Sequence, residues 1–310
     1  MTTKTTATTA LVLSAAMILT ACTSGSSEGP AAEDTPESTF DDQPSEDDLD
    51  QLGEGPRDQA DIDASDIQDM NPVRDSASYD YLETPNMIEP GARYVTIGSD
   101  GQMGNCSFGW IVRERTAPDT TYNLTAGHCG NPGDAVAIDP VGNDDPADMF
   151  QVGEFVWQQF TPSEDGGISE TEPLDDYALI EFYPEYAVPE LMTGTPNFAL
   201  HGAQDELTLG GYCDAALFED NVPMVGRIGY RNGLSIGPFQ EMRDSNVVTF
   251  SGIADQGDSG GAIWAFDPND DPSFICAVAV TSYIDFEDAT VATGVTVDKV
   301  MEQLDLEILA

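Results

Sequence analysis

Short runs of apolar and β-branched residues, each stopped by Gly, Pro, Asn or Asp, dominate the chain beyond Gly91. They fall at 93–97, 107–112, 134–138, 177–182, 247–250, 261–265 and 274–281. Runs this short, bounded by turn formers, predict strands of an antiparallel sandwich or barrel. The last stretch has another period. Over 297–308, Val297, Val300, Met301, Leu304 and Ile308 recur at helical spacing, with Asp298, Glu302 and Asp305 between them. That spacing predicts an amphipathic C-terminal helix. The folded part, 91–310, is thus expected to be all-β with a terminal helix.

The pattern before Gly91 is of a different kind. Residues 10–19 form a mostly apolar run behind a polar stretch whose single cation is Lys4. The run is too short to span a bilayer and fits the core of a signal peptide. Leu19-Thr20-Ala21-Cys22 follows and resembles a bacterial lipobox, in which cleavage precedes the cysteine and the cysteine carries the lipid. Residues 1–21 are then a signal peptide and Cys22 a lipidation site. An ordinary secretory signal, with Cys22 incidental, is the alternative. Over 22–90 acidic residues far outnumber the two cations, Arg57 and Arg74. So few large apolar side chains cannot offset the entropy of ordering, so 22–90 is expected to be a disordered tether. As a flexible coil it reaches roughly 45 Å end to end, enough to hold a domain clear of a membrane. A short inhibitory pro-peptide is the other use of such a segment.

Charge narrows the choice of partners. Asp and Glu total 57 against 10 Lys and Arg, a formal net charge of −47. Such a surface repels phosphate and disfavours both nucleic acid and anionic headgroups. It suits solubility or a high-salt medium, where counterions screen self-repulsion. Cysteine is scarce: Cys22, Cys106, Cys129, Cys213 and Cys276. An odd count in an exported chain needs one cysteine accounted for, and the lipid on Cys22 does so. An acidic cation-binding surface protein is a competing class, but no EF-hand spacing occurs. Histidine and free cysteine are too few for a zinc site, so neither a metal nor a cofactor is expected.

Three strings carry chemistry: Thr125-Ala126-Gly127-His128-Cys129, Asp176-Tyr177-Ala178-Leu179-Ile180 and Gly257-Asp258-Ser259-Gly260-Gly261. A serine needs an adjacent base to attack a carbonyl at neutral pH, and imidazole titrates in the right range. The chain has two histidines, His128 and His201. Only His128 lies in such a string, and His201→Ala is expected to leave turnover nearly intact. Glycines around Ser259 let backbone N–H groups approach a reacting oxygen. Asp176 stands before an apolar strand, with Asp175 as its rival. None of the strings decides the matter alone.

Together, in the order His, Asp, Ser and with these flanks, they resemble the chymotrypsin family over about 91–310. The likeness is nearest the bacterial streptogrisin-like and α-lytic-like branch. It is carried there by the Cys-Ser-Phe-Gly string from Cys106 and by Gly229-Tyr230-Arg231-Asn232-Gly233-Leu234. The resemblance implies two antiparallel β-barrels and a serine endopeptidase acting on protein or peptide substrates as a monomer. In that mechanism Ser259 is the nucleophile, His128 the general base and acid, and Asp176 the carboxylate that orients the imidazole. The amides of Gly257 and Ser259 form the oxyanion hole. The strand bearing Ser282, Tyr283 and Ile284 pairs with substrate backbone. It further implies a Cys106–Cys129 bridge, leaving Cys213 and Cys276 to pair. It also implies a buried ion pair between Asp258 and an internal arginine, Arg231 first and Arg227 second. The chain departs from the family at Asp255, where a cysteine is common, and at Ala262, where a proline is common. Ile253 at the pocket floor and Ile284 at its mouth imply a small apolar pocket, with Asp255 able to enter it if the alignment shifts. The chain is then placed on the outer face of a bacterial cell membrane, or secreted. A catalytically weak binding lipoprotein on a protease scaffold is the alternative function.

Overall fold

A computed structural model describes residues 73–160, 175–197, 208–213, 218, 223–243, 246–266, 274–284 and 291–309, without the side chains of 73, 74, 274, 283 and 284. The signal peptide, Cys22 and most of the expected tether lie outside the described residues, as does His201.

The regular structure of the described residues is almost all strand. It opens with β1 (Val73–Asp75). The first half continues through β2 (Arg93–Ile97), β3 (Met103–Ser107), β4 (Trp110–Glu114), β5 (Ala117–Thr125), β6 (Ala135–Ile138), β7 (Phe150–Phe160) and β8 (Asp176–Phe182). The second half holds β9 (Thr208–Tyr212), β10 (Met224–Gly229), β11 (Gly233–Arg243), β12 (Val247–Ser251), β13 (Ala262–Phe266), β14 (Phe274–Ile284) and β15 (Val291–Thr296). Helix α1 (Asp298–Gln303) and β16 (Leu306–Ile308) end it.

These strands form two sheets. In the second half, β11-β10-β13-β14-β15-β12 runs as a ribbon, and an antiparallel β11–β12 ladder closes it into a six-stranded barrel. Its interior is packed with Val225, Phe239, Val248, Phe250, Ile263 and Val278. The other sheet runs β16-β4-β5-β8-β7-β6-β2-β3. No ladder closes it among the described residues, yet its far strands share one interior. Tyr94 on β2 and Phe108 just past β3 lie 4.8 Å apart. Phe108 in turn lies 5.7 Å from Phe182 on β8. The all-β expectation with antiparallel barrels and a C-terminal helix is met, with one barrel fully hydrogen-bonded.

Two buried aromatics join the sheets. Trp110 Nε1 donates to Ala279 O at 2.9 Å, and Tyr177 donates to Thr296 O at 2.8 Å. Both side chains are almost wholly removed from water. Truncating a side chain as large as Trp110 costs about 3–5 kcal/mol. The seam between the sheets is thus a packed core, and the residues of interest gather along it.

Three expectations change. Structure is already described over 73–90, ahead of Gly91. β1 pairs with β11, and a 3₁₀ turn over Ala77–Glu83 buries Tyr79 and Leu82. Ile88 is buried beside them. A few well-spaced large side chains order 73–90 although its average composition is acidic. Second, the helix stops at Gln303. Asp305 takes a left-handed conformation (φ 52°), and 306–308 pairs with β4 instead of continuing the helix. Third, the run at 107–112 is split. β3 ends at Ser107 and β4 begins at Trp110, and Gly109 between them lies so close to Leu124 O and Gly260 O that no side chain fits. Among the described residues no helix is long and apolar enough to cross a membrane.

Candidate active site

His128 sits in a 3₁₀ turn, Gly127–Cys129, directly after β5. The turn is held from several sides. Cys129 is bridged to Cys106 with Cα atoms 6.2 Å apart. Gln158 Nε2 donates to Gly127 O at 2.6 Å and to Gly130 O at 2.7 Å. The second expected bridge, Cys213–Cys276, is also present.

β8 pairs antiparallel with β5, which sets Asp176, its first residue, beside the histidine turn. Asp176 is fully buried. Its Oδ2 lies 2.9 Å from His128 Nδ1, and its Oδ1 accepts the His128 backbone N–H at 2.8 Å. From the barrel, Ser282 donates its hydroxyl to Oδ2 at 2.5 Å. Burial alone would push the Asp176 carboxyl up. The His128 charge, the side-chain bonds from His128 and Ser282, and the His128 amide outweigh it and hold the group below the usual carboxylate range. Burial likewise drags the imidazole down, but the Asp176 charge and hydrogen bond win and raise it above 6.5. An ionised carboxylate only accepts, so Nδ1 carries the proton and Nε2 keeps its lone pair. The His128 side chain is 24% exposed, so that lone pair is reachable from solvent. The rival Asp175 instead pairs with Lys299 at 3.1 Å at the surface.

Two short paths tie the Ser259 loop to the elements that hold His128 and Asp176. The next residue, Gly260, donates its N–H to Thr281 O at 2.7 Å, one residue before Ser282. Ser259 O accepts the N–H of Ser107 at 2.8 Å, one residue after the bridged Cys106. Gly260 has φ 84°, and a side chain there would strike Thr125 Oγ1. The serine loop is therefore pressed onto the histidine strand at a point only glycine allows. No hydrogen bond joins Ser259 Oγ to the His128 ring in this structure. Such bonds are often loose until substrate is bound.

The loop amides divide into two sets. Those of Asp255, Gln256, Asp258, Gly260 and Gly261 each donate to an acceptor within the protein. Those of Gly257 and Ser259 have no acceptor among the described residues. These are the two amides expected to hold a developing oxyanion.

Asp258 anchors the loop. Its carboxylate is fully buried and lies 2.9 Å from the equally buried Arg227 guanidinium. It also accepts the amides of Asp255, Arg231 and Asn232 and the Asn232 side chain. The expected Arg231 pair is thus corrected to Arg227. Arg231 gives only its backbone N–H, because β10 pairs with β13 and runs Arg227 under the loop. Asn232 escaped the sequence reading, and nothing in the string marks it. Ser282, expected to face substrate, spends its hydroxyl on Asp176.

Ile253 is half-buried, its N–H donating to Ser235 Oγ at 2.9 Å and its carbonyl taken by Arg227. The side chains of Tyr283 and Ile284 lie outside the described residues. Cys106, His128 and Cys129 place potential metal-binding atoms within 4.8 Å of one another, but both sulfurs are committed to the bridge.

No sequence family and no curated protein matches the chain. Among solved structures it is similar to the Nocardiopsis protease NAPase at 20% identity, covering 72% of this chain and 99% of that one, with a TM-score of 0.47. It is also similar to Thermobifida fusca protease A (20% identity, 72% and 99% covered, TM-score 0.46). A third is Cellulomonas bogoriensis chymotrypsin (19% identity, 72% and 98% covered, TM-score 0.45).

Proposed function

We propose that this chain is a serine endopeptidase that hydrolyses peptide bonds through an acyl-enzyme. The observation that carries the reading is the buried Asp176–His128 pair beside a loop whose unpartnered amides flank Asp258 and include that of Ser259. Ser259 Oγ attacks the scissile carbonyl while its proton passes to His128 Nε2. The carbonyl oxygen, now negative, takes the N–H groups of Gly257 and Ser259. The C–N bond then breaks, and the leaving amine receives the proton from Nε2. Water repeats the sequence on the ester, freeing the acid and restoring Ser259. Asp176 stays ionised throughout and stabilises the imidazolium. Its partner Ser282 fixes the carboxylate by donating to the oxygen that faces His128 Nδ1.

Ile253 and Ile284 give this endopeptidase a small apolar specificity pocket. The lipobox-like string ending at Cys22 supports a lipid anchor that holds the enzyme outside the cell membrane. A fluorophosphonate probe tests the core of the reading. It labels wild type and spares Ser259→Ala; equal labelling of both, or none of wild type, refutes it. A peptide panel tests the pocket, and preference for Arg or Lys at the cleaved bond refutes that part alone.

A further inference from the structure

Ser107 is fully buried in the seam between the sheets, at the end of β3. Every polar group it owns is engaged there. Its N–H donates to Ser259 O at 2.8 Å. Its hydroxyl donates to Gly257 O at 2.9 Å and accepts the Tyr230 N–H at 3.1 Å. Its carbonyl accepts Thr125 Oγ1 at 3.4 Å. One residue of the first sheet thus grips the carbonyls of both residues whose amides are unpartnered.

We infer that Ser107 is a positioning residue for the oxyanion loop, an inference that rests on the endopeptidase reading. The physical need is local. Gly257 sits at φ 103°, where a glycine turns with little resistance, and its carbonyl has one donor among the described residues, the Ser107 hydroxyl. Tyr230 closes the other side: a side chain on Gly257 would strike its hydroxyl. The Tyr230 amide is itself held by Ser107. Fixing the carbonyls of Gly257 and Ser259 holds the peptides on either side of 258–259, so the Ser259 N–H keeps one orientation, and it anchors the Gly257 residue whose own N–H is the second donor. That preorganisation matters only when negative charge forms on the substrate oxygen. Removing the hydroxyl therefore lowers kcat and leaves KM nearly unchanged. The fall is about tenfold, below the roughly 10²–10³ of a lost oxyanion donor, because the amides themselves remain.

The test compares Ser107→Ala and the nearly isosteric Ser107→Cys with wild type. A peptide p-nitroanilide gives kcat and KM, and the corresponding peptide boronic acid gives the affinity for an oxyanion mimic. Expected are about a tenfold fall in kcat, an equal loss of boronate affinity and an unchanged KM for Ser107→Ala, with Ser107→Cys between the two. Ser107→Cys fills the same space, so it keeps the test alive if the alanine variant fails to fold. A folded variant with wild-type kcat and boronate affinity, or one that loses kcat without losing boronate affinity, overturns the inference whatever its melting temperature. Failure of wild type to react with fluorophosphonate overturns the endopeptidase reading instead.

Discussion

The buried pair beneath the serine loop gives an ordered set of stabilities. Arg227 and Asp258 are both fully buried, 2.9 Å apart. Removing one partner of a buried pair costs about 3–5 kcal/mol, chiefly because the other charge is stranded. The two partners are not stranded equally. Without Arg227, Asp258 keeps four N–H donors: the amides of Asp255, Arg231 and Asn232 and the Asn232 side chain. Without Asp258, Arg227 keeps the Ile253 carbonyl; even in the intact protein its Nε–H and Nη2 make no hydrogen bond, the Nη2–Asp258 contact being an ion pair only. Arg227→Met therefore falls at the low end, about 3 kcal/mol, and Asp258→Asn at the high end, about 5 kcal/mol. The new amide in Asp258→Asn also turns an N–H₂ toward donors that had faced an oxygen. Arg231→Ala, which keeps the backbone N–H that Asp258 uses, stays within about 0.5 kcal/mol. Urea unfolding with disulfides intact, at matched m-values, reads all three. The reasoning is wrong if Arg231→Ala equals Arg227→Met, or if Asp258→Asn is the milder of the two charge changes.

Four further outcomes follow from the structure and the charge of the chain. Raising the His128 imidazole above 6.5 moves the acid limb of kcat/KM upward, since base function is lost as pH falls through the folded value; a midpoint at or below 6.5 contradicts the Asp176 contact. The linked stability has two signs. The His128 contribution is complete below 6.5 and lost as pH rises through its raised value, whereas that of Asp176 is present above 3.8 and lost as pH falls through its lowered one. Preventing the Cys106–Cys129 bridge, which joins residues 23 apart, costs about 3 kcal/mol by loop entropy; Cys106→Ala/Cys129→Ala measured by urea unfolding checks it, and an unchanged midpoint argues against it. A net charge of −47 makes stability rise from low salt toward about 1 M NaCl as repulsion is screened; thermal melts across that range that stay flat refute a repulsive surface.

The sequence showed the site better than its supports. Asp176 was legible because a carboxylate before an apolar strand is placed by that strand's pairing, and β5 and β8 do pair. Register reverses the order of Arg231 before Arg227: Arg227 lies opposite Ile263 on β13. The long strands β7 and β11 escaped because neither alternates cleanly. β7 carries a register shift between Phe155 and Trp157 and leaves Phe150 and Val156 exposed. β11 contains Gly237 and Pro238, which read as turn formers. The ordering of 73–90 rests on a few side chains, Tyr79, Leu82 and Ile88, that an average over an acidic stretch hides. At the other end, Leu306 suits a strand as well as a helix, and the backbone of Asp305 settled the choice.

The small leading strand β1 has a consequence for solution behaviour. β12 covers β11 only from Phe239 onward, and β1 covers 234–236. A chain trimmed past Asp75 presents that bare margin of amide and carbonyl groups to any passing strand. The extension therefore serves as a guard against self-association, and shortening it invites clumping well before it alters chemistry.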